Sequence, residues 1–244
     1  MKHPQLIGRK STIEWFWESM QFHLIQCLQH DIIKTMKYKG FFITLEGVEG
    51  AGKTTQIHRL ADTLGDTVLI TREPGGTPLS EQIRDIFLTA STMSATTELM
   101  LIAAARAQHV TERVLPALEA GQIVICDRFS DATIAYQGFR KGIDLKLIEQ
   151  VNHIATGGLT PDITFLLDLP PEIGLQRKRD SDEPLTRLEH ETLASHQKVR
   201  DGYLAVAKTE PQRIQLIDAR LDADTIHNLI VNESKKRIQL LQTS

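Results

Sequence analysis

From residue 40 to the C-terminus, short apolar runs alternate with longer stretches whose apolar positions recur at helical spacing. The runs Phe41–Leu45, Thr67–Thr71, Gln122–Cys126, Ile163–Leu169 and Arg213–Ile217 read as strands, and segments near 53–64, 78–90, 96–120, 144–156, 188–208 and 222–240 as helices. Within the third helical segment, Thr97-Glu98 suits a start and Gly121 a stop. Strands separated by helices imply right-handed crossovers and a parallel sheet covered on both faces, an α/β fold. Ligands of such sheets collect at the carboxyl ends of the strands. Glu46, Arg72, Asp127 and Asp168 all fall there. One catalytic domain over 40–244 is the economical reading.

Residues 1–39 stand apart from this alternation. Met20, Leu24, Leu28, Ile32 and Met36 recur every fourth position, and Ser11-Thr-Ile-Glu14 has the form of a capping box. Two readings stay open: an amphipathic N-terminal helix, or a start upstream of a natural beginning at Met36. No chemistry is attached to this extension.

Composition narrows the class. The chain has 244 residues, 41% hydrophobic and 24% charged, enough for a sizeable core. A net charge of −3 argues against nucleic acid or a membrane surface as a partner. Two cysteines, Cys27 and Cys126, are too few for a disulfide framework, and no apolar stretch is long enough to span a bilayer. A cytoplasmic location is expected.

The chemistry concentrates after the first strand. Gly47-Val48-Glu49-Gly50-Ala51-Gly52-Lys53-Thr54 has the spacing of a phosphate-binding loop, set between a strand and a helix that closes at Gly65. Backbone N–H groups and a helix N-terminus then surround one anion, Lys53 reaches the β- and γ-phosphates, and the Thr54 hydroxyl reaches Mg²⁺. Ile123-Val-Ile-Cys-Asp127 delivers a carboxylate beside that loop. Phe165-Leu-Leu-Asp168 has the same local form; Asp127 is preferred because Arg128 follows it, pairing a metal-side anion with a phosphate-binding fork. Pro74, Gly75 and Gly76 make Thr71-Arg-Glu-Pro-Gly-Gly-Thr77 a tight turn that holds Arg72 and Glu73 over the sheet edge. Arg106 follows an alanine-rich helical run, a position that is usually solvated. The charged stretch 174–187 suits a mobile lid carrying Arg177, Arg179 and Arg187.

Together, Glu46–Thr55, Thr71–Thr77, Arg106-Ala-Gln-His109, Asp127-Arg-Phe129, Ala135-Tyr-Gln-Gly138, Pro161-Asp162 and Leu167-Asp168 resemble the thymidylate kinase family from residue 40 to the C-terminus. The resemblance implies a three-layer P-loop kinase fold with a five-stranded parallel sheet in the order 2-3-1-4-5 and a small lid near 177–190. It also implies transfer of the ATP γ-phosphate to dTMP with Mg²⁺ by a homodimer. The loop from Gly47 to Thr55 would bind ATP, with the metal on Thr54 and Asp127. Arg128 and Arg84 would hold the dTMP phosphate, with Glu73 over the acceptor site. Arg106 would donate to thymine O4, Thr133 and Gln137 would read the remaining edge, and Tyr136 would pack on the deoxyribose. Glu49 matches an acidic loop position near the sugar 3′-hydroxyl, in a type whose catalytic arginine comes from the lid; Arg177 and Arg187 are the candidates beside Lys53, Glu49 and Arg128.

One position departs from the family. Phenylalanine is common four residues before the base-reading arginine, and Ile102 stands there instead. The enzymatic alternative is another deoxynucleotide or deoxynucleoside kinase with the same core. A GTPase-type switch would need an Asn-Lys-x-Asp element for guanine, and no Asn-Lys pair occurs in the chain.

Overall fold

A computed structural model describes residues 38–181 and 191–242. The expected N-terminal helix and Arg187 lie outside those residues. Five parallel strands, β1 (Phe41–Glu46), β2 (Val68–Arg72), β3 (Ile123–Asp127), β4 (Ile163–Asp168) and β5 (Ile214–Asp218), form one sheet in the order β2-β3-β1-β4-β5. The expected sheet order and fold class hold. β1 lies between β3 and β4, so all six of its residues are buried and it reads as a continuous apolar run rather than an alternating one. β1, β2, β3 and β5 each run one residue past the expected end, because the ladders continue through Glu46↔Leu166, Arg72↔Asp127 and Asp168↔Asp218. The polar residues thereby finish their strands, with side chains at the edge where ligands gather.

Helices cover both faces: α1 (Lys53–Leu64), α2 (Pro78–Thr89), α3 (Ala95–His109), α4 (Leu115–Glu119), α5 (Ser130–Thr133), α6 (Leu145–Thr156), α7 (Pro171–Arg179), α8 (Leu193–Thr209) and α9 (Ala223–Gln242). The third helix begins earlier than Thr97, because Ser94 caps it by accepting from Thr97 N. It is also interrupted. A π-helical turn over Val110–Val114 precedes α4, where Pro116 has no N–H with which to continue the ladder.

The sequence assigned no helix to 130–140, yet α5 continues into a π-helical segment over Ile134–Arg140. Ala135, Tyr136, Gln137 and Gly138 are buried in succession, so there is no polar face and no helical stripe to read. One partner in that burial is α8. A Cβ on Gly202 would lie 2.8 Å from Ala135 Cα, so glycine is what permits the approach.

Candidate active site

The phosphate loop is shaped by glycine. Gly47, Gly50 and Gly52 all take positive φ, and Gly52 leads directly into α1. Lys53 is buried, and its Nζ donates to the carbonyls of Gly47 (3.1 Å) and Val48 (3.0 Å), which keeps the ammonium beside the loop. Burial first, and then the Arg128 charge, bring its pKa down to about 8. Thr54 and Thr55 line the same cleft, with Asp127, Arg128, Arg72 and Lys178 opposite. Asp127 Oδ1 is buried without a hydrogen-bond partner, whereas the competing carboxylate Asp168 is gripped by Arg200 at 2.7 and 2.9 Å. A buried carboxylate oxygen without a partner among the described residues, lining one cleft with a threonine hydroxyl, is a donor set that fits a hard divalent cation.

A second cleft adjoins the first and shares Glu49, Glu73, Arg84 and Arg128 with it. Its apolar wall includes Phe87, Leu88, Ile102 and Tyr136. Arg128 sits at the junction with φ 68°, a left-handed conformation that costs a side chain energy and directs it back over the sheet. Its guanidinium stacks 4.9 Å from the Tyr136 ring centroid, and Nη1 donates to Tyr203 Oη at 2.8 Å. Tyr203 in turn donates to Glu46 Oε2 at 2.7 Å, while Glu46 Oε1 accepts from Phe129 N at 2.6 Å. Burial, and then the nearby Asp131 carboxylate, push Glu46 up to about 8. Glu49 goes the other way. Burial opposes its ionisation, but contact with His196, the Arg128 charge and the Tyr136 hydroxyl outweigh it and hold the carboxyl well below the usual range. His196 Nδ1 lies 3.4 Å from Glu49 Oε2.

Arg106 is not solvated, as its alanine-rich setting led us to expect, but 2% exposed. Nε donates to Glu73 Oε2 (2.7 Å), Nη1 to Thr133 Oγ1 (2.9 Å) and Asn152 Oδ1 (2.7 Å), and Nη2 to the Phe129 carbonyl (2.9 Å). A guanidinium has five N–H groups, so one on Nη2 is left for the cleft that Arg106 lines. The opposite oxygen of Glu73 meets His109 Nδ1 at 2.9 Å, and His109 Nε2 lies 2.6 Å from Thr71 Oγ1. Gly76 closes over this pair: a Cβ there would lie 2.6 Å from both His109 Cδ2 and Thr71 Oγ1. The Arg-Glu-Pro-Gly-Gly turn is therefore fastened to α3 by His109, to which the sequence reading gave no role. Its spacing of three from Arg106 on one helix was the available signal.

Ile102, Thr133, Tyr136 and Gln137 all line the second cleft, and Arg84, anchored to the Pro74 carbonyl at 2.9 Å, reaches both clefts. Arg177 is not in either lining. Its Nη1 donates to the Gly50 carbonyl (3.2 Å), and both Nη atoms reach the Ala219 carbonyl, which places it behind the phosphate loop. Lys178, unremarked in the sequence reading, lines the phosphate cleft instead.

Comparison with known proteins agrees with this geometry. The profile of a family described as thymidylate kinase matches residues 45–230. A thymidylate kinase of Syntrophotalea carbinolica is 52% identical over 196 residues, covering 76% of this chain and 91% of that protein. One of Geobacter sp. strain M21 is 48% identical over 212 residues, covering 83% of this chain and 94% of that one. Among solved structures, thymidylate kinase from Ehrlichia chaffeensis superposes with a TM-score of 0.67 at 35% identity, covering 79% of this chain and 97% of that one. A phosphate loop meeting a second, arginine-lined cleft, on this sheet and with these relatives, identifies the chain as a member of the thymidylate kinase family.

Proposed function

We propose that the chain transfers the γ-phosphate of ATP to dTMP, giving ADP and dTDP, with ATP in the phosphate-loop cleft and dTMP in the adjoining one. The observation that carries this reading is the shared wall: Arg84 and Arg128 belong to both clefts, where two phosphate tails would meet end to end. Phosphoryl transfer asks the protein mainly for alignment and charge neutralisation. Lys53 and the loop amides hold the ATP tail. Arg128, braced by Tyr203 and Glu49, presents the acceptor phosphate in line. No general base is needed, because a phosphate monoester is already an oxyanion at neutral pH. Asp127 and Thr54 would hold Mg²⁺, which would neutralise charge between the β- and γ-phosphates. On the nucleoside side, the remaining Arg106 N–H faces thymine O4, Thr133 and Gln137 face the rest of the edge, and Tyr136 lies against the sugar.

A lid arginine from 177–190 supplies the last positive charge in this reading, with Lys178 as an added candidate. A homodimer is supported by Ile86, Met100 and Ile154, exposed apolar side chains on the adjoining helices α2, α3 and α6. Among the described residues no helix is long and apolar enough to cross a membrane, and we place the enzyme in the cytoplasm. A coupled assay of ADP release with dTMP, dUMP, dCMP, dGMP and thymidine tests the proposal. It predicts turnover with dTMP foremost, and none for Lys53→Ala. ADP release that is no faster with dTMP than without it overturns the reading.

A further inference from the structure

Glu98 lies in the first turn of α3 and is completely buried. Its Oε1 accepts two hydrogen bonds, from Gln137 Nε2 at 2.8 Å and from Arg140 Nη2 at 2.8 Å. Arg140 also lies 5.1 Å from the Tyr136 ring centroid and 3.7 Å from Glu191, so the pair is held by more than one contact. A primary amide has a donor end and an acceptor end that differ little in shape, and a hydrogen-bond partner decides which faces where. Here the carboxylate is an acceptor, and it captures the NH₂ end. With Nε2 turned to Glu98, Oε1 is the other end of the amide, and the side chain lines the acceptor cleft.

We infer that Glu98 is a positioning residue for base selection, fixing Gln137 so that its carbonyl oxygen rather than its NH₂ meets the pyrimidine. This rests on the reading above that Gln137 faces the base. A carbonyl at that place accepts from the N3–H of thymine or uracil. It opposes the bare N3 of cytosine, which is itself an acceptor. With the amide turned over, the preference at this atom reverses. Selection against cytosine thus depends on a side chain that touches no substrate. Glu98→Gln retains an oxygen for Gln137 and Arg140, whereas Glu98→Met removes the acceptor and frees the amide to rotate.

The test is kcat/KM for dTMP, dUMP and dCMP with wild type, Glu98→Gln, Glu98→Met, the double variant Glu98→Met/Arg140→Met, and Gln137→Leu. Ratios between substrates on one preparation do not depend on the fraction of active protein, and the double variant removes the buried guanidinium that Glu98→Met deprives of its 2.8 Å hydrogen bond. In both Glu98→Met backgrounds the dTMP-to-dCMP ratio falls by about tenfold or more, the size of one mispaired buried hydrogen bond. The dTMP-to-dUMP ratio stays put, since those bases share the same edge. Glu98→Gln keeps the wild-type preference. An unchanged dTMP-to-dCMP ratio in both methionine backgrounds overturns the inference, as does an equal change toward dUMP, which reports a loosened cleft. If Gln137→Leu leaves KM for dTMP unaltered, the underlying base contact is wrong, and that outcome is separate from the first two.

Discussion

Gly50 and Gly174 meet backbone to backbone. A Cβ on Gly50 would lie 2.2 Å from the Gly174 carbonyl oxygen, and one on Gly174 would lie 2.2 Å from the Glu49 carbonyl oxygen. Helix α7, which leads toward the lid, therefore rests directly on the phosphate loop with no side chain between. Because α7 is regular here, Gly174→Ala is compatible with the helix itself. Its methyl group must displace Glu49 and Gly50, shifting amides aimed at phosphate. We expect KM for ATP to rise by about tenfold, the cost of a forced backbone shift, while KM for dTMP changes by less than about twofold. Steady-state kinetics with each substrate varied in turn checks this. A normal KM for ATP would mean that the loop tolerates the intrusion.

Arg106 calls for a different kind of variant because it pairs with buried Glu73 and, in the proposed reading, also meets the base. Arg106→Ala leaves Glu73 buried with His109 as its remaining side-chain partner, and losing one member of a buried pair costs about 3–5 kcal/mol. A low yield or a fall in Tm would then say little about the base. Arg106→Met combined with Glu73→Gln removes the charge imbalance. We expect Tm to recover most of what Arg106→Ala loses, while KM for dTMP remains raised by about tenfold or more and ATP affinity stays near wild type. Thermal melts with titration of each nucleotide separate the two roles. Equal weakening toward both nucleotides would remove Arg106 from the base site.

The form of the phosphate loop was legible in the sequence, because it is local. Gly47, Gly50 and Gly52 lie within a few residues of Lys53 and Thr54, and the turn they make sits between two regular elements. The strands were legible to within a residue for a similar reason: an apolar run that stops at a polar residue marks the edge of the sheet. The bracing of that site was not legible. Tyr203 and Glu46 are 157 residues apart, and His109 and Glu73 are 36 apart; each is a polar side chain turned into an apolar layer, where only three-dimensional contact supplies the partner. Arg106 inverts the usual expectation for the same reason, since four acceptors from different elements converge on it. The segment 130–140 was missed because burial on all sides erases the periodicity that identifies a helix.

If Lys53 holds the ATP tail as proposed, ATP affinity depends on pH in a definite direction. In the free enzyme its pKa is lowered to about 8 by burial and the Arg128 charge. A polyphosphate beside it favours the charged ammonium and raises that pKa. Above about pH 8 the free enzyme has lost the proton and the complex has regained it, so binding takes up a proton and weakens as pH rises. Below that pH both states are protonated and this linkage vanishes. Calorimetric titration of ATP in buffers of differing ionisation enthalpy should show uptake approaching one proton per site near about pH 9 and little near about pH 7. Lys53→Arg, which stays charged throughout, should show neither the uptake nor the loss of affinity. Equal uptake in that variant would assign the proton to another group.

Ile102 is buried at 7% exposure in the wall of the acceptor cleft, four residues before Arg106 on the same face of α3. An aliphatic side chain there covers a base face but lacks the offset-stacking term of an aromatic ring, about 0.5–1.5 kcal/mol. The cleft wall around it contains Phe87 and Leu88. Ile102→Phe therefore gains stacking at the risk of crowding, and the two effects leave different kinetic signatures. Gained stacking lowers KM for dTMP by about twofold to tenfold with kcat preserved, because the base face is covered equally in the ground and transition states. Crowding tilts the base away from Arg106 and raises KM while lowering kcat. We expect the first pattern. Thymidine should show a parallel gain as a competitive inhibitor, because it presents the same base without the phosphate. A lower KM for dTMP with no change in thymidine affinity would locate the effect at the phosphate and not at residue 102 against the ring.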